Sequence, residues 1–539
     1  MSLFGLFDIG RSALMASQTG IAVTSNNIAN VNTPGYSRQE VILEIANPVA
    51  SGRGFIGRGV TVSGIRRNYD GFLQMQLLGQ EQNRGRSYAL NRSLGEIEGI
   101  LNDQNGLGLS ESLQDFFNAW QDVATNPEGI PQRDALIYRA RSLINAAKQI
   151  EERITSTIKN INKSIDDVVN KVNELSGRIA QLNERIAGIE SGLSSEKALD
   201  LRDQRDKLLR ELSELVDFSY YEDRNGSVSI TVGMRNLVSG TSVNAMSSVT
   251  LNDGAKKIML DGIDITERIQ RGELGGLIAA KDEIGTKTLY SMRRLIASIT
   301  KEVNLIHRSG YGLDGSTGND FFNPLTLSTT DGSSGADITS ATITDYSSLT
   351  LDEYEITFDG SGNYYVRDNQ TGTVVSTGAY VSGNPISFDG IEVTITGAVT
   401  PDDRFSVSPL TNAIKNLGLA ISDPEKIAAS SSSSGIPGDG SNAVNMVNLG
   451  SSQVGNLGDT FMDYYRGIVT VTGTLSRAAS DSLTFDENLL SEIQSRRDSV
   501  SGVSLDEEAI NLIRYQRSFE AAAKMISVTD ELLDIVMKL

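Results

Sequence analysis

The apolar positions of this chain keep a helical period at both ends and through much of the middle. Near the start, Leu3, Phe7, Gly10, Leu14, Ser17, Ile21, Thr24 and Ile28 recur at alternating spacings of four and three. That is a heptad seam, the repeat that lets helices lie side by side. Gly10, Ser17 and Thr24 dilute it, so a helix over residues 2–28 is marginal in water without a partner. At the other end Leu505, Ala509, Leu512, Gln516, Phe519, Ala523, Ile526, Asp530, Leu533 and Met537 repeat the spacing. A second row, Ala522, Met525, Thr529, Leu532, Val536 and Leu539, runs beside it, which predicts contact with more than one neighbour. Ser504 and Glu507 have the spacing of a capping box. Asp506, Glu507 and Glu508 at the start and Lys538 at the end suit the helix dipole.

Between the ends the period changes several times. Residues 39–65 alternate and then run into glycines, which predicts short extended pieces. Helix is expected from about Arg67 to Asn102, and again from Ser110 with Phe116, Trp120 and Val123 on one face. From Ala140 to Ile189 the heptad is sustained, with a one-residue skip near Ile158 that predicts a kinked or overwound rod. Leu199–Leu215 adds a helix whose Arg202, Arg205 and Lys207 read as a solvated, ion-paired face. Residues 217–270 turn to strands, with Asp261-Gly262 marking a hairpin. Leu289 to Ile306 is helical again. Residues 325–411 alternate in short runs with frequent turns, as a small antiparallel sandwich or barrel does. Ser430–Ser434 reads as a flexible link, and helix returns from Asn442 to Arg497.

The expected fold is therefore multidomain α+β. Paired N- and C-terminal helices of coiled-coil character enclose a long helical rod domain with a small β part, and that encloses an inserted all-β domain. The boundaries fall at 1–65, 66–324, 325–411, 412–500 and 501–539, with the first and last segments forming one terminal domain.

Composition narrows what such a chain can do. There are 48 basic and 68 acidic residues, a net charge of −20, which argues against nucleic acid as a partner. Half of that charge sits in 325–411, where twelve acids face only Arg367 and Arg404. Such a segment suits a solvated, outward domain. Cysteine is absent, which excludes disulfides and thiolate metal sites. No apolar run approaches the ~18–20 residues of a membrane span, and no cleaved secretory signal is legible. The single histidine, His307, reads as a hydrogen-bonded residue at a helix end. Asp314–Asp320 lacks the spacing of an EF-hand and reads as turn-forming Asx residues. No cofactor, metal or catalytic group is expected.

Ser25-Asn26-Asn27-Ile28-Ala29-Asn30-Val31-Asn32-Thr33-Pro34-Gly35-Tyr36-Ser37-Arg38 resembles the signature shared by bacterial flagellar rod, hook and hook-associated axial proteins. The stretch Glu507 to Ala521, with Glu508, Asn511, Tyr515 and Gln516, resembles their closing helix. Residues 62–73, Gly275–Leu277 with 307–315, and 499–506 are similar to the hook–filament junction members of that family. The resemblance leaves out 325–411. It implies a structural protein rather than an enzyme, exported by the flagellar type III apparatus to an extracellular position in the flagellum. It further implies copies forming a ring of about one helical turn. The implied neighbours are the hook subunit and the second hook–filament junction protein, with an export chaperone on the C-terminal region. The seam residues Leu3, Phe7, Leu14, Ile21, Ile28, Leu505, Leu512, Phe519, Ile526 and Leu533 are then the expected assembly interface. Alternative readings are another axial protein, or a secreted adhesin or hydrolase working through the insertion.

Overall fold

The computed structural model describes residues 3–51, 54–102, 108–191, 197–251, 256–332 and 335–538. Its α-helices are α1 (Leu3–Ala29), α2 (Gly71–Leu101), α3 (Leu109–Thr125), α4 (Ile130–Glu190), α5 (Leu199–Leu215), α6 (Gly272–Asp282), α7 (Tyr290–Ser309), α8 (Ser441–Ser451), α9 (Phe461–Ser501) and α10 (Leu505–Lys538). The chain divides into two compact units. The first takes residues 1–90, 164–278 and 480–539, the second residues 91–163 and 279–479. No described helix is long and apolar enough to cross a membrane.

In the first unit α1 packs along α10, and a ribbon of strands lies against α1. Gln39–Ile45 pairs antiparallel with Val60–Arg67, and Val49–Ser51 with Gly54–Ile56. Val228, Ile230 and Val232 alternate inward from a four-stranded sheet. Asn183 on α4 fastens that sheet: its amide donates to the Val228 and Gly240 carbonyls at 2.7 Å, and its oxygen accepts the Val228 N–H. Asp261-Gly262 forms the expected hairpin. Both residues have positive φ, and Leu260 pairs with Ile263 across the turn. One polar position in this unit differs from expectation. Arg205 is 1% exposed rather than solvated, because Asn183 and the Gly226 carbonyl supply buried acceptors. On α4, Asp166 pairs with Lys256 at 2.6 Å and accepts from the Ser248 hydroxyl.

In the second unit Phe116 and Trp120 of α3 are buried against Phe321, with Phe322 also on Phe116. Helix α4 stays α-helical through Ile158, so the heptad skip does not break it. Thr157, 1% exposed, takes the inward position, and its hydroxyl donates to Glu96 at 2.8 Å. Gly285 comes close to Ile158, and it lies in a π-helical turn, Glu283–Leu289.

Within the same unit, residues 328–408 build a five-stranded and a three-stranded antiparallel sheet. Tyr354, Ile356, Val366, Phe405 and Val407 from one share a core with Ile386, Ile391, Val393 and Ile395 from the other. This is the expected sandwich. It is anchored on α7 by Lys301, whose ammonium donates to the Leu349 carbonyl at 2.9 Å, and by the Arg294–Asp352 pair at 2.9 Å. Ser430–Ser434 is not a loose link. Ser430 is 3% exposed, and Asp439 accepts from the Ser430 hydroxyl and the Ser431 N–H, each at 2.8 Å. The Ser441 hydroxyl and N–H donate to the same carboxylate and, together with the Ser431 and Ser430 bonds, hold Asp439 well below the usual carboxylate range.

His307 is also structural. It is fully buried, its Nε2 accepts the Ala428 N–H at 3.0 Å, and Nδ1 lies 2.7 Å from the Asn319 carbonyl. Accepting at Nε2 leaves the proton on Nδ1, so the ring is neutral and donates to Asn319. Burial lowers its pKa to about 4. In the 314–320 loop, Asp314 accepts from the Ser316 N–H and hydroxyl, which is an Asx turn.

Candidate functional site at the paired termini

Helix α1 ends where its signature begins to fold back on itself. Asn30 donates to the Asn26 carbonyl and side chain, both at 3.0 Å, and Thr33 donates to Asn30. Thr33 to Tyr36 is a type II turn closed by the Tyr36 N–H on the Thr33 carbonyl at 3.1 Å. Pro34 supplies the first central position, and Gly35 takes the second with φ +89°. A side chain at Gly35 would also meet the Arg210 guanidinium. The turn sends Tyr36 back over the helix end, where its hydroxyl donates to Asn27 at 2.8 Å.

Asn27 is the centre of this arrangement and is 1% exposed. Its oxygen accepts from the Gln39 N–H and from Tyr36. Its amide donates to the Gln39 carbonyl at 2.9 Å and to Glu508 at 3.1 Å. Every polar atom of the side chain is therefore engaged, as burial demands. Glu508, 2% exposed, also receives Arg38 at 2.8 Å, while Glu507 receives the same guanidinium at 2.7 Å. Glu507 thus meets Arg38 with the carboxylate expected to cap its own helix. The Arg38 N–H donates to the Ser501 carbonyl.

A second set of acids ties the fold-back to α5. Asp203 accepts the Ser37 N–H at 3.0 Å and Arg67 at 2.6 Å, Asp206 accepts Arg67 at 2.9 Å, and Asp200 accepts the Gln39 amide at 2.7 Å. Burial pushes the Asp206 carboxyl up against the pull of Arg67 and Arg205. Burial also raises Tyr36, with Asp200, Asp203 and Glu508 adding to it, so the phenol stays protonated. From α9, Arg497 donates to the Gly35 and Tyr36 carbonyls. Asp200, Asp203, Asp206 and Arg497 escaped the pattern reading. The three-residue spacing of the aspartates was their one visible sign.

The two helices run antiparallel, with Gly10 by Ile526, Gly20 by Tyr515 and Asn27 by Glu508. A Cβ on Gly10 would come within 2.8 Å of Ile526, and one on Gly20 within 2.6 Å of the Tyr515 ring. The buried positions of α1 are the small or polar ones: Gly10, Ser17, Gly20, Thr24 and Asn27, with Ala16 and Val23. On α10 they are Glu508, Ala522 and Thr529. The apolar seam residues Leu14, Ile21, Ile28, Leu512, Phe519, Ile526 and Leu533 are half-buried, while Phe7 and Leu505 are exposed. The side chain of Leu3 lies outside the described residues. Asn511 is half-buried and Gln516 exposed. Close approach on small residues thus replaces interlocking large ones, and much of the apolar surface stays free.

This arrangement is a joint, built for packing rather than bond-making. Among the described residues no cluster of His, Cys, Asp or Glu is placed to hold a metal ion.

Four family models match the chain. Residues 94–322 match the flagellar hook-associated protein FlgK helical domain, and 327–409 the D2-like domain of flagellar hook-associated protein 1. Residues 7–36 match the flagella basal body rod protein, and 494–539 the flagellar basal body rod FlgEFG protein C-terminal. The flagellar hook-associated protein 1 of Salmonella typhimurium is 30% identical over 557 residues, covering 99% of each chain. That of Bacillus subtilis is 27% identical, covering 99% of this chain and 98% of its own. The solved flagellar hook junction protein FlgK from Burkholderia pseudomallei superposes with a TM-score of 0.69 at 18% identity, over 79% of this chain and all of that one.

Proposed function

The chain belongs to the flagellar hook-associated protein 1 family, whose members are structural proteins of the hook–filament junction, and from that premise we propose that it assembles through its terminal helices. The observation that carries this reading is the character of the α1–α10 contact. Its centre is small or polar, and the apolar flanks Phe7, Leu505, Ile510 and Ile513 remain exposed. Ordering these helices costs about 1–2 kcal/mol per residue. Contacts with neighbouring subunits supply what the intrachain contact lacks.

On this reading the exported chain carries unstructured termini, which order when copies close into a ring of about one helical turn. The hook subunit lies on one side and the second junction protein on the other. An export chaperone holds the C-terminal region before assembly, and the route is the flagellar type III apparatus. The seam residues Leu3, Phe7, Leu14, Ile21, Ile28, Leu505, Leu512, Phe519, Ile526 and Leu533 serve as assembly interface. The family is structural, so no catalytic role is assigned.

Limited proteolysis tests the proposal. In the soluble chain, cleavage before about residue 40 and after about residue 505 precedes cleavage in α4; in isolated flagella the same sites are protected. Termini as resistant as α4 in the soluble chain contradict coupled ordering and assembly.

A further inference from the structure

Beneath the Pro34-Gly35 turn, the fold-back, the start of α2, α5 and the end of α9 enclose a small cavity within the first unit. Two unpaired donors line it. Gln74, in the first turn of α2, is 5% exposed, and its Nε2 has no hydrogen-bond partner in the chain. The buried Nε of Arg210 has none either. Arg210 lies directly under the turn, where a Cβ on Gly35 would come within 2.6 Å of its Nη2.

The charges around the cavity do not balance. Arg497 pairs with Asp498 at 3.0 Å, Asp206 with Arg67 at 2.9 Å, and Asp70 accepts the Phe72 and Leu73 N–H groups. Arg210 is half-buried and pairs with no carboxylate among the described residues. Burial, then the neighbouring Arg497, lowers its pKa. A guanidinium has five donors and does not give up its proton here, so it needs a compensating negative charge. The cavity holds about 10 Å³, the space of one water-sized sphere. Phosphate, sulfate and carboxylates are too large for it. A water would have to place its own two hydrogens, and it would leave the charge of Arg210 uncompensated. An occupant that only accepts hydrogen bonds suits two unpaired donors and one unpaired cation.

We propose that this cavity takes up one monatomic anion of chloride size, held by the Arg210 guanidinium and the Gln74 amide. The site lies within one copy, so it stands apart from how copies meet. Isolated flagella are washed into sodium chloride, sodium bromide or sodium methanesulfonate at equal ionic strength and heated. Immunoblotting of the supernatant measures the chain released. The expected result is a higher midpoint of release in either halide than in methanesulfonate, with a rise that saturates as halide increases. Arg210→Gln is expected to lose that difference. Gln74→Met, which keeps every charge, is the second variant in case Arg210→Gln is not incorporated, and its rise should need more halide. Equal wild-type midpoints in the three salts, or the same halide dependence in wild type and variants, overturn the proposal. Absence of the wild-type chain from flagella overturns the assembly reading instead. Thermal unfolding of the purified full chain in the same salts then decides, with the same outcomes for and against.

Discussion

Asn27 and Glu508, 481 positions apart, share a buried hydrogen bond of 3.1 Å that closes the two ends of the chain on each other. Asn27 also holds the strand after the turn through Gln39, and Glu508 also holds Arg38. One buried pair thus registers α1, the ribbon and α10. Such a device suits a joint, because an apolar contact can slide and a hydrogen-bonded one cannot.

Glu508→Ala leaves Asn27 and Arg38 facing a cavity. Losing one partner of a buried charged network costs about 3–5 kcal/mol. Glu508→Gln keeps an acceptor for Asn27 and loses the charge, so it costs less. The expected outcome is a graded fall in the amount of chain retained in isolated flagella, with wild type above Gln and Gln above Ala. Immunoblotting of purified flagella against cytoplasmic levels measures it. Equal retention of all three shows that the pair does not register the termini.

Gly20→Ala opposes two effects. Alanine gains about 1 kcal/mol of helix propensity over glycine. Its methyl would lie 2.6 Å from the Tyr515 ring, and overpacking costs typically 1–3 kcal/mol. Steric cost wins, so Gly20→Ala weakens incorporation. Removing the ring removes the clash: Gly20→Ala with Tyr515→Ala is expected to do no worse than Tyr515→Ala alone. Additive losses in this cycle would place the effect of Gly20 elsewhere.

Helix positions were legible because the heptads are long. The Asp261-Gly262 hairpin was legible because its backbone needs positive φ. What the apolar pattern could not show is which residues make the closest contact between α1 and α10: within its rows Gly10, Ser17, Thr24, Ala522 and Thr529 are buried, while the large apolar members are half-buried or exposed. The pattern ranks residues by hydrophobicity, whereas the α1–α10 contact selects them by size and hydrogen bonding. Gly20, Asn27, Glu508 and Tyr515 stand one position from Ile21, Ile28, Ala509 and Gln516 in the predicted rows. Arg205 and Ser430 were misplaced for a related reason. Their polarity suggests solvent, and only tertiary partners such as Asn183 and Asp439 make burial tolerable.

His307 gives the second unit a pH dependence of definite sign. The fold holds the ring neutral, with its pKa lowered from 6.5 to about 4 by burial, although the Asn319 carbonyl and Asp320 pull it up. Its contribution is complete above the unfolded value of 6.5 and is lost as pH falls toward 4. The full effect is on the order of 3 kcal/mol. His307→Gln removes the titration, so its thermal midpoint should vary less than that of wild type between pH 7 and pH 4.5. Parallel curves for the two proteins would show that His307 does not titrate with unfolding.

Phe519→Asp tests the half-buried row directly, and Leu512→Asp repeats the test one heptad away. Both side chains sit on the flank of the α1 contact rather than at its centre. An isolated charge there loses much of its hydration when a neighbour closes over it, at a cost of several kcal/mol. The second unit has its own aromatic cluster around Phe116, Trp120 and Phe321, far from this change in sequence and in a separate unit. Each variant is therefore expected to keep the near-ultraviolet signal of Trp120 while failing to enter flagella. Wild-type incorporation of either variant would remove α10's seam from the assembly interface. Loss of the Trp120 signal would mean that the termini support the second unit, and assembly would then have to be tested with the smaller change Phe519→Ala.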